Sequence, residues 1–186
     1  MSAVETPTAI LRDQHKKILK VADVLEQVLA AGQAAPLDFD AVADCVSFIR
    51  LFADALHHGK EEDLLFPALE AKGMPRDGGP IAVMLHEHKL GRGFVGTMVA
   101  ELPAAREGDH SAQAKLADAG SSYIHLIRDH IMKEDGILFG MADQMIDGPT
   151  CKSLCAAYDG VCQRRFDGCT VAELEAILAR LVERYP

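Results

Sequence analysis

Two short segments of the chain repeat one pattern, and this repeat constrains the fold more than any other feature. Residues 57–66 read His-His-Gly-Lys-Glu-Glu-Asp-Leu-Leu-Phe, and residues 130–139 read His-Ile-Met-Lys-Glu-Asp-Gly-Ile-Leu-Phe. Both contain His-x-x-Lys-Glu, and they are offset by 73 residues. The same offset relates His15 to His88. The chain therefore contains two related halves, each with one lone histidine and one His-x-x-x-Glu.

Apolar residues recur at helical spacing along most of the chain, and turn residues divide them into four long helices. Thr6-Pro7 offers a cap and a proline at the first helical position, and Asp38 and Ser111 offer later caps. A first loop is predicted from Gly32 to Pro36. No stretch alternates with the period of two that a half-buried strand needs. We therefore predict an all-α fold: an antiparallel up-down-up-down four-helix bundle with a short helical C-terminal extension. The long helices are predicted over residues 6–31, 38–71, 80–103 and 111–145.

The sequence Asp147-Gly148-Pro149 interrupts the helical pattern and predicts a boundary. Beyond it we predict two shorter helices, over residues 150–165 and 171–184. We therefore divide the chain into a bundle of residues 1–147 and a cysteine-containing extension of residues 148–186.

Four of the five cysteines lie in this extension. Cys151, Cys155 and Cys162 have the spacing of one helix face, and Cys169 follows in the next turn. An odd number of cysteines in a reducing compartment favours free thiols over a disulfide framework. Three interpretations stay open: small apolar residues that pack the extension, an oxidation-sensing thiol pair, or a separate metal site. The extension is also the candidate surface for a dimer or a protein partner.

The His-x-x-x-Glu pairs fall in the apolar stripes of their helices. Residues i and i+4 lie about 40° apart around a helix axis, so the histidine and glutamate of each pair point the same way. A glutamate in an apolar stripe carries a large desolvation penalty unless a cation meets it. Carboxylates and imidazoles together suit iron or manganese, with zinc as a further substitute. The sequence therefore predicts a metal cluster. Its candidate ligands are His15, His57, Glu61, His88, His130 and Glu134.

The role of His58 stays open from the sequence. It lies about 100° from His57 on a helical wheel, so it is either a further ligand at the flank of the site or a partly exposed interface histidine. Glu62 and Asp135 turn away from the cluster and are expected on its outer side. The remaining histidines are expected off the site: His86, His110 and His125.

Together these motifs resemble the hemerythrin-like HHE cation-binding family over about residues 8–145. The resemblance rests on the order, spacing and helix placement of His15, the 57–66 segment, Glu87-His88-Lys-Leu-Gly-Arg92 and the 130–139 segment. It implies an antiparallel bundle around two iron ions joined by an oxo or hydroxo bridge. It also implies that two carboxylates bridge the ions and four histidines are terminal ligands. The implied bridges are Glu61 and Glu134, and the implied terminal ligands are His15, His57, His88 and His130.

Two positions depart from the pattern of the hemerythrins that carry oxygen. Those proteins have a second histidine one turn from the lone histidine of the third helix, where this chain has Arg92 or, in the opposite register, Met84. Their second carboxylate follows its histidine by five residues, whereas Glu134 follows by four, and Asp135 holds the fifth place as an alternative ligand. The departures bring the chain nearer to bacterial HHE proteins and to proteins that repair iron centres.

Three functions stay open at this point. The first is a non-haem di-iron protein that binds O2, NO or a related small oxidant such as peroxide, for sensing, storage or detoxification. The second is a di-iron enzyme of oxidative or nitrosative stress defence that repairs iron centres, reduces NO or consumes peroxide. The third is a helical interaction module without a metal. Metal content separates the third from the first two.

The charge and hydropathy of the chain disfavour two classes of partner. The net charge is −9 with histidine neutral, whereas nucleic acids and anionic membranes both need a basic face. No apolar run approaches the ~20 residues of a membrane span. The segment 1–6 also lacks the basic and apolar parts of a signal peptide. We therefore expect a cytoplasmic protein.

Overall fold

The computed structural model describes residues 6–32 and 35–186, and these residues form six helices and no β-strand. Four helices are regular: α1 (Pro7–Ala31), α3 (Pro80–Arg106), α5 (Gly148–Cys162) and α6 (Val171–Arg184). Helix α2 joins Phe39–Phe48, Ile49–His58, Glu61–Leu65 and Phe66–Ala71, of which the middle two are π-helical. Helix α4 joins His110–Lys133, the π-helical Glu134–Leu138, and Phe139–Met145. The predicted all-helical character is confirmed.

Two sequence predictions fall partly outside the described residues. These are the lack of a signal peptide, which concerns residues 1–5, and the loop from Gly32 to Pro36, which includes residues 33–34. Every helix in the described ranges is too short or too polar to serve as a membrane span.

Side-chain caps fix where the helices begin. Thr6 accepts a hydrogen bond from the backbone N–H of Ala9 at 3.2 Å, and Asp38 caps α2 in the same way, as predicted. The predicted cap at Ser111 is wrong. Asp109 accepts from the backbone N–H of Ser111 at 2.8 Å, so α4 begins before that residue. Aspartate and serine are both good capping residues, so the sequence alone does not show which of the two caps the helix.

Two predicted helix boundaries are also displaced. Helix α3 does not fade at Pro103 but continues to Arg106, because the turn that ends it needs Gly108, whose φ of +95° favours glycine. The predicted break after α4 is confirmed, because α4 ends at Met145, but α5 starts at Gly148 rather than near residue 150. Asp147 accepts from a backbone N–H of the first turn, and Pro149 occupies a first-turn position that proline favours.

Two apolar clusters form the core, and the candidate ligands lie between them. The larger cluster contains buried residues of 18–29, 41–56, 95–105, 112–131 and 161–181. The smaller cluster contains position 11 and buried residues of 65–84, 138–142 and 154–158. On α1, His15 lies between Leu11 of the smaller cluster and Ile18 of the larger. On the other long helices the flanking residues are Leu56 and Leu65, Met84 and Val95, and Ile127 and Leu138.

The C-terminal helices complete both apolar clusters from the side of α1 and α2. Leu154 of α5 belongs to the smaller cluster, and Leu174 of α6 belongs to the larger. At the edge of this contact, Lys17 pairs with Glu175 at 2.7 Å. The division of the chain at residues 147 and 148 stays a prediction, but the extension shares its buried surface with the long helices.

We expect Leu174→Ala to lower the free energy of unfolding of the whole chain by about 2–5 kcal/mol, because Leu174 is fully buried in the larger cluster. The matched control is Glu183→Ala on the exposed face of the same helix, which should change it by no more than about 0.5 kcal/mol. Denaturant unfolding followed by circular dichroism measures both. A separate early transition of the extension, with the main transition unmoved, would contradict this expectation.

Candidate metal centre

The six candidate ligands and His58 lie at the boundary between the two apolar clusters, and all seven are buried. They form two groups, in each of which one atom per residue lies within 4.8 Å of the others. The first group is His58, Glu61, His88 and His130, and the second is His15, His57, Glu61 and Glu134. Because Glu61 belongs to both groups, the structure brings the seven residues into one cluster. That they hold a metal stays a prediction.

Four histidines turn their Nε2 atoms towards one another inside the cluster. The Nε2 atoms of His15 and His57 are 3.0 Å apart. Those of His88 and His130 are 3.2 Å apart. Each contact joins a lone histidine to the histidine of a His-x-x-x-Glu motif, and the two contacts are related by the 73-residue repeat. The two halves of the sequence therefore build two similar halves of the cluster.

Each buried glutamate lies between histidines of two helices. Oε2 of Glu134 is 3.1 Å from Nε2 of His15 and 3.3 Å from Nε2 of His130. Glu61 is placed in the same way between the other two histidines, at 3.5 Å from each. A carboxylate placed between histidines of two helices is able to contact two metal ions at once.

The outer nitrogen of every clustered histidine meets a side-chain oxygen. The Nδ1 pairs are His15 with Asp135 at 2.9 Å, His57 with Gln14 at 3.1 Å, His58 with Asp54 at 3.2 Å, His88 with Glu62 at 2.7 Å and His130 with Glu87 at 3.0 Å. An acceptor at Nδ1 holds the proton there and leaves Nε2 free to bind an ion. The outer shell thus orients the imidazoles as metal ligands require.

Sequence reasoning identified only part of this outer shell. Glu62 and Asp135 were expected on the outer side, whereas Gln14, Glu87 and Asp54 were missed. Gln14 and Glu87 are related by the 73-residue offset, as are Glu62 and Asp135, so the repeat contained the signal. Asp54 has no such counterpart, because the equivalent position is apolar.

The glutamate of each His-x-x-x-Glu motif begins a π-helical segment. The segments Glu61–Leu65 and Glu134–Leu138 begin at the two buried glutamates, and Ile49–His58 ends at the two adjacent histidines. The backbone N–H that follows each short segment reaches back five residues to the carbonyl of its glutamate. Such wider turns are frequent at functional sites. The assumption of regular helix geometry was therefore wrong at these segments.

His58 joins the cluster. Its side chain is 6% exposed, and its ring stacks on that of His88 with the ring centres 3.8 Å apart. Burial and repulsion from His88 lower the pKa of His58 to about 3 against the contact with Asp54, so the ring is neutral. The histidines expected off the site, His86, His110 and His125, are all exposed.

The two buried carboxyl groups have opposite protonation preferences. Burial and repulsion from Glu134 raise the pKa of Glu61 well above its usual value. For Glu134 burial acts in the same direction, but attraction by His130 and contact with His15 outweigh it and hold the pKa well below its usual value. Without a metal, the cluster therefore contains one carboxylate and one carboxylic acid.

A proton on His130 compensates the charge of Glu134. Burial lowers the pKa of His130, but the nearby Glu134 and then Glu87 outweigh burial and raise this pKa to about 9. Burial is likewise outweighed at His15, where Asp135 and Glu134 raise the pKa. Protons here occupy positions that metal cations would take, because imidazole binds a metal only in its neutral form.

Unsatisfied polar atoms test whether a metal fits this cluster. Five buried atoms make no hydrogen bond: Nε2 of His58 and both carboxylate oxygens of Glu61 and of Glu134. The contacts of Glu61 and of Oε2 of Glu134 with histidine nitrogens, at 3.1–3.5 Å, are ion-pair contacts that need protonated imidazoles. Elsewhere in the described ranges only the hydroxyl oxygens of Tyr123 and Tyr158 are in this state. Buried polar atoms normally find a partner. Metal ions bound by imidazole nitrogen and carboxylate oxygen would satisfy all five, so the donor set fits.

A cavity of about 290 Å³ reaches the cluster on one side. It is lined by His58, His88 and Tyr123, by the charged residues Arg50, Asp54 and Arg92, and otherwise by small or apolar residues. These include Ile49, Gly91, Val95, Gly96 and Val99. The cavity therefore gives a small molecule a mostly apolar approach to the cluster.

Arg92, which also lines this cavity, links two of the residues that hold the histidine rings. It donates hydrogen bonds to Asp54 at 2.8 Å and to Glu62 at 2.7 Å, the two residues that hold the rings of His58 and His88. Against the effect of burial, His58 and Arg92 lower the pKa of Asp54 to about 2. Arg92 therefore supports the neighbouring histidines through Asp54 and Glu62.

Comparisons with known proteins agree with the geometry. The family model of the hemerythrin HHE cation binding domain matches residues 6–142. Uncharacterized proteins of Mycobacterium bovis and of two strains of Mycobacterium tuberculosis are 26% identical to the chain over 165 residues. The matches cover 88% of this chain but 63% of each relative, so the chain spans less than two thirds of their length. No solved structure gives a significant match.

In metal-free protein we expect Glu61→Met to raise the free energy of unfolding by about 1–3 kcal/mol, because it removes two buried oxygens without partners. Glu62→Met is the matched comparison and should lower it, because Glu62 bonds His88 and Arg92. Urea unfolding in the presence of a chelator gives both values. A destabilised Glu61→Met protein would show that the carboxyl group has a partner without any metal.

Proposed function

We propose that this chain, which belongs to the hemerythrin HHE cation-binding domain family, holds two iron ions and binds O2, NO or peroxide at them. The observation that supports this most is the convergence of five unsatisfied buried ligand atoms on one cluster. An interaction module with structural histidines has no need of buried acids in that position.

Each ion is assigned to one of the two groups of residues. We assign one ion to His15, His57 and Glu134, and the other to His58, His88 and His130. Glu61 bridges them in this assignment, because it belongs to both groups. Glu134 is assigned as a second bridge, because its Oε2 atom lies within 3.3 Å of histidines from both groups. Manganese and zinc are the expected substitutes, since they accept the same donors.

When bound, the ion pair supplies a redox couple and a coordination position for a small ligand. The chain holds the imidazoles in a fixed orientation through their Nδ1 acceptors. It also excludes water, because the seven side chains are between 0% and 6% exposed. Five histidines against two glutamates make a nitrogen-rich site, which favours binding of a diatomic molecule over storage of iron.

The two sides of the cluster differ in access. A phenylalanine stacks on the lone histidine in each half, Phe139 on His15 with the ring centres 5.3 Å apart and Phe66 on His88 with the ring centres 6.1 Å apart. The cavity of about 290 Å³, however, touches His58 and His88. We therefore assign the ligand-binding position to the ion held by His58, His88 and His130.

The up-down-up-down order of the long helices is part of the proposal. It is supported by the order of the apolar clusters along the chain. Helices α1 and α3 pass from the smaller cluster to the larger, whereas α2 and α4 pass from the larger to the smaller. A cytoplasmic location, in which the cysteines stay reduced, belongs to the proposal too, as does a dimer or protein partner at the extension.

The first test of the proposal is metal content. We expect the purified protein to contain iron and to show a visible absorption spectrum of the ion pair. Glu61→Ala and Glu134→Ala should each lose about half or more of the iron and lower the melting temperature, because ligands on separate helices couple metal binding to folding. Asp63→Ala, an exposed acid on α2, is the matched control and should keep both. A wild-type protein that takes up no metal would favour the interaction module instead.

The second test concerns the cavity. We expect Gly96→Leu to slow the reaction of the reduced protein with O2, NO or peroxide several-fold, because the new side chain fills the approach to His58 and His88. Gly93→Leu on the same helix does not line the cavity and should leave the rate unchanged. Neither new Cβ atom meets a neighbour within 4 Å, so both variants should fold. Stopped-flow absorption measures the rates, and equal rates in the two variants would reject this route. A reversible spectrum indicates carriage, and turnover indicates an enzyme.

A further inference from the structure

Lys60 is fully buried although it carries an ammonium group. The ammonium group contacts two residues of α5. Its Nζ atom donates a hydrogen bond to Sγ of Cys162 at 3.3 Å and lies 5.3 Å from the centre of the Tyr158 ring. Among the described residues, no carboxylate lies within ion-pair distance of Lys60. Buried lysines are almost always paired with a negative group, so this environment needs an explanation.

The internal repeat shows what Lys60 has lost. Its counterpart at the 73-residue offset is Lys133, which forms an ion pair with Glu87. The counterpart of Glu87 is Gln14, a neutral amide that bonds His57. The first half of the chain therefore has the lysine without its acid. The thiol of the extension takes the place of that acid.

Cys162 combines this cation with access to solvent. It is exposed, whereas the ammonium behind it is buried. Three of the other cysteines differ in these respects: Cys45, Cys151 and Cys169. Cys45 is buried, and burial with repulsion from Asp44 raises its pKa to about 12, so it is unreactive. Within the described part of the chain, neither Cys151 nor Cys169 has a cationic side chain within hydrogen-bond distance.

We propose that Cys162 is a peroxide-reactive modification site and that Lys60 promotes its reaction. The sulfur attacks one oxygen of hydrogen peroxide, so that an S–O bond forms and the O–O bond breaks. The thiol has first given its proton to solvent, and the departing hydroxide takes up a proton from solvent and leaves as water, so that the product is a sulfenic acid. The sulfur is oxidised by two electrons and the peroxide is reduced. The ammonium of Lys60, whose Nζ atom lies 3.3 Å from Sγ of Cys162, stabilises the negative charge on the attacking sulfur.

This reaction does not depend on the proposed metal centre. The sulfur and the ammonium are held by α5 and α2, and no candidate ligand takes part in the step. The metal-centre proposal and the Cys162 proposal can therefore fail separately. Peroxide would still oxidise Cys162 in a protein without iron. A di-iron protein with an inert Cys162 would leave the metal assignment intact.

The test compares each thiol in the folded and the unfolded chain. Full-length protein is treated with limiting hydrogen peroxide in the presence of a sulfenic-acid trapping reagent, and the label is located by peptide mass spectrometry. We expect Cys162 to react faster in the folded protein than the same thiol reacts in urea. Exposure alone does not produce this result, because the unfolded chain is fully exposed. Cys151 and Cys169 should react more slowly when folded than when unfolded.

Two variants then test the role of Lys60. Lys60→Met keeps the length of the side chain without its charge and should bring the rate at Cys162 to or below the unfolded rate. Lys60→Arg keeps the charge and should retain the faster rate. Cys162→Ser should abolish the label on the end of α5, whereas Cys151→Ser should leave it in place.

Three results would overturn the proposal. The first is that Cys162 of the folded wild-type protein reacts no faster than Cys162 of the unfolded chain. This result would reject the proposal even if the Lys60 variants do not fold. Another is a folded Lys60→Met protein that keeps the wild-type rate. The last is labelling that disappears when the protein is stripped with a chelator, because the oxidation would then come from the metal.

Discussion

The burial of two carboxyl groups is the constraint on which the rest of the structure depends. Glu61 and Glu134 are fully buried inside a helical core, where an uncompensated charge is strongly unfavourable. Every long helix therefore contributes imidazole groups at the same level, and the apolar core is divided into two clusters above and below them. Ions at this level would join all four long helices, so that metal binding and folding become one equilibrium.

The repeat builds two similar halves, and the specific properties of the protein come from the places where the halves differ. His58 has no counterpart in the second half, and the cavity lies on its side of the cluster. Gln14 replaces the acid that Glu87 provides, and Lys60 is left to contact Cys162. The repeat thus provides the candidate ligands in both halves. The positions at which the halves differ line the cavity on one side and contact the C-terminal extension on the other.

The sequence predicted the helices and the members of the cluster because both depend on local spacing. The pair formed by His130 and Glu134 shares a helix face whatever surrounds it, and Thr6 caps a helix from within its own turn. The cap at Ser111 was predicted wrongly because Asp109 is equally suited and lies only two residues away. The π-helical segments were missed because no local pattern separates them from regular helix.

By itself, the sequence determined an all-helical fold and a set of histidines and glutamates that face inward, because periodicity and i,i+4 spacing are properties of a single helix. Only the tertiary structure decided which atoms meet. It placed His58 against His88, set Asp54 and Arg92 around them, and brought Cys162 to Lys60. These contacts join residues of different helices or of a helix turn with altered geometry. Their distances depend on how whole helices pack, which the spacing of residues along one helix does not specify.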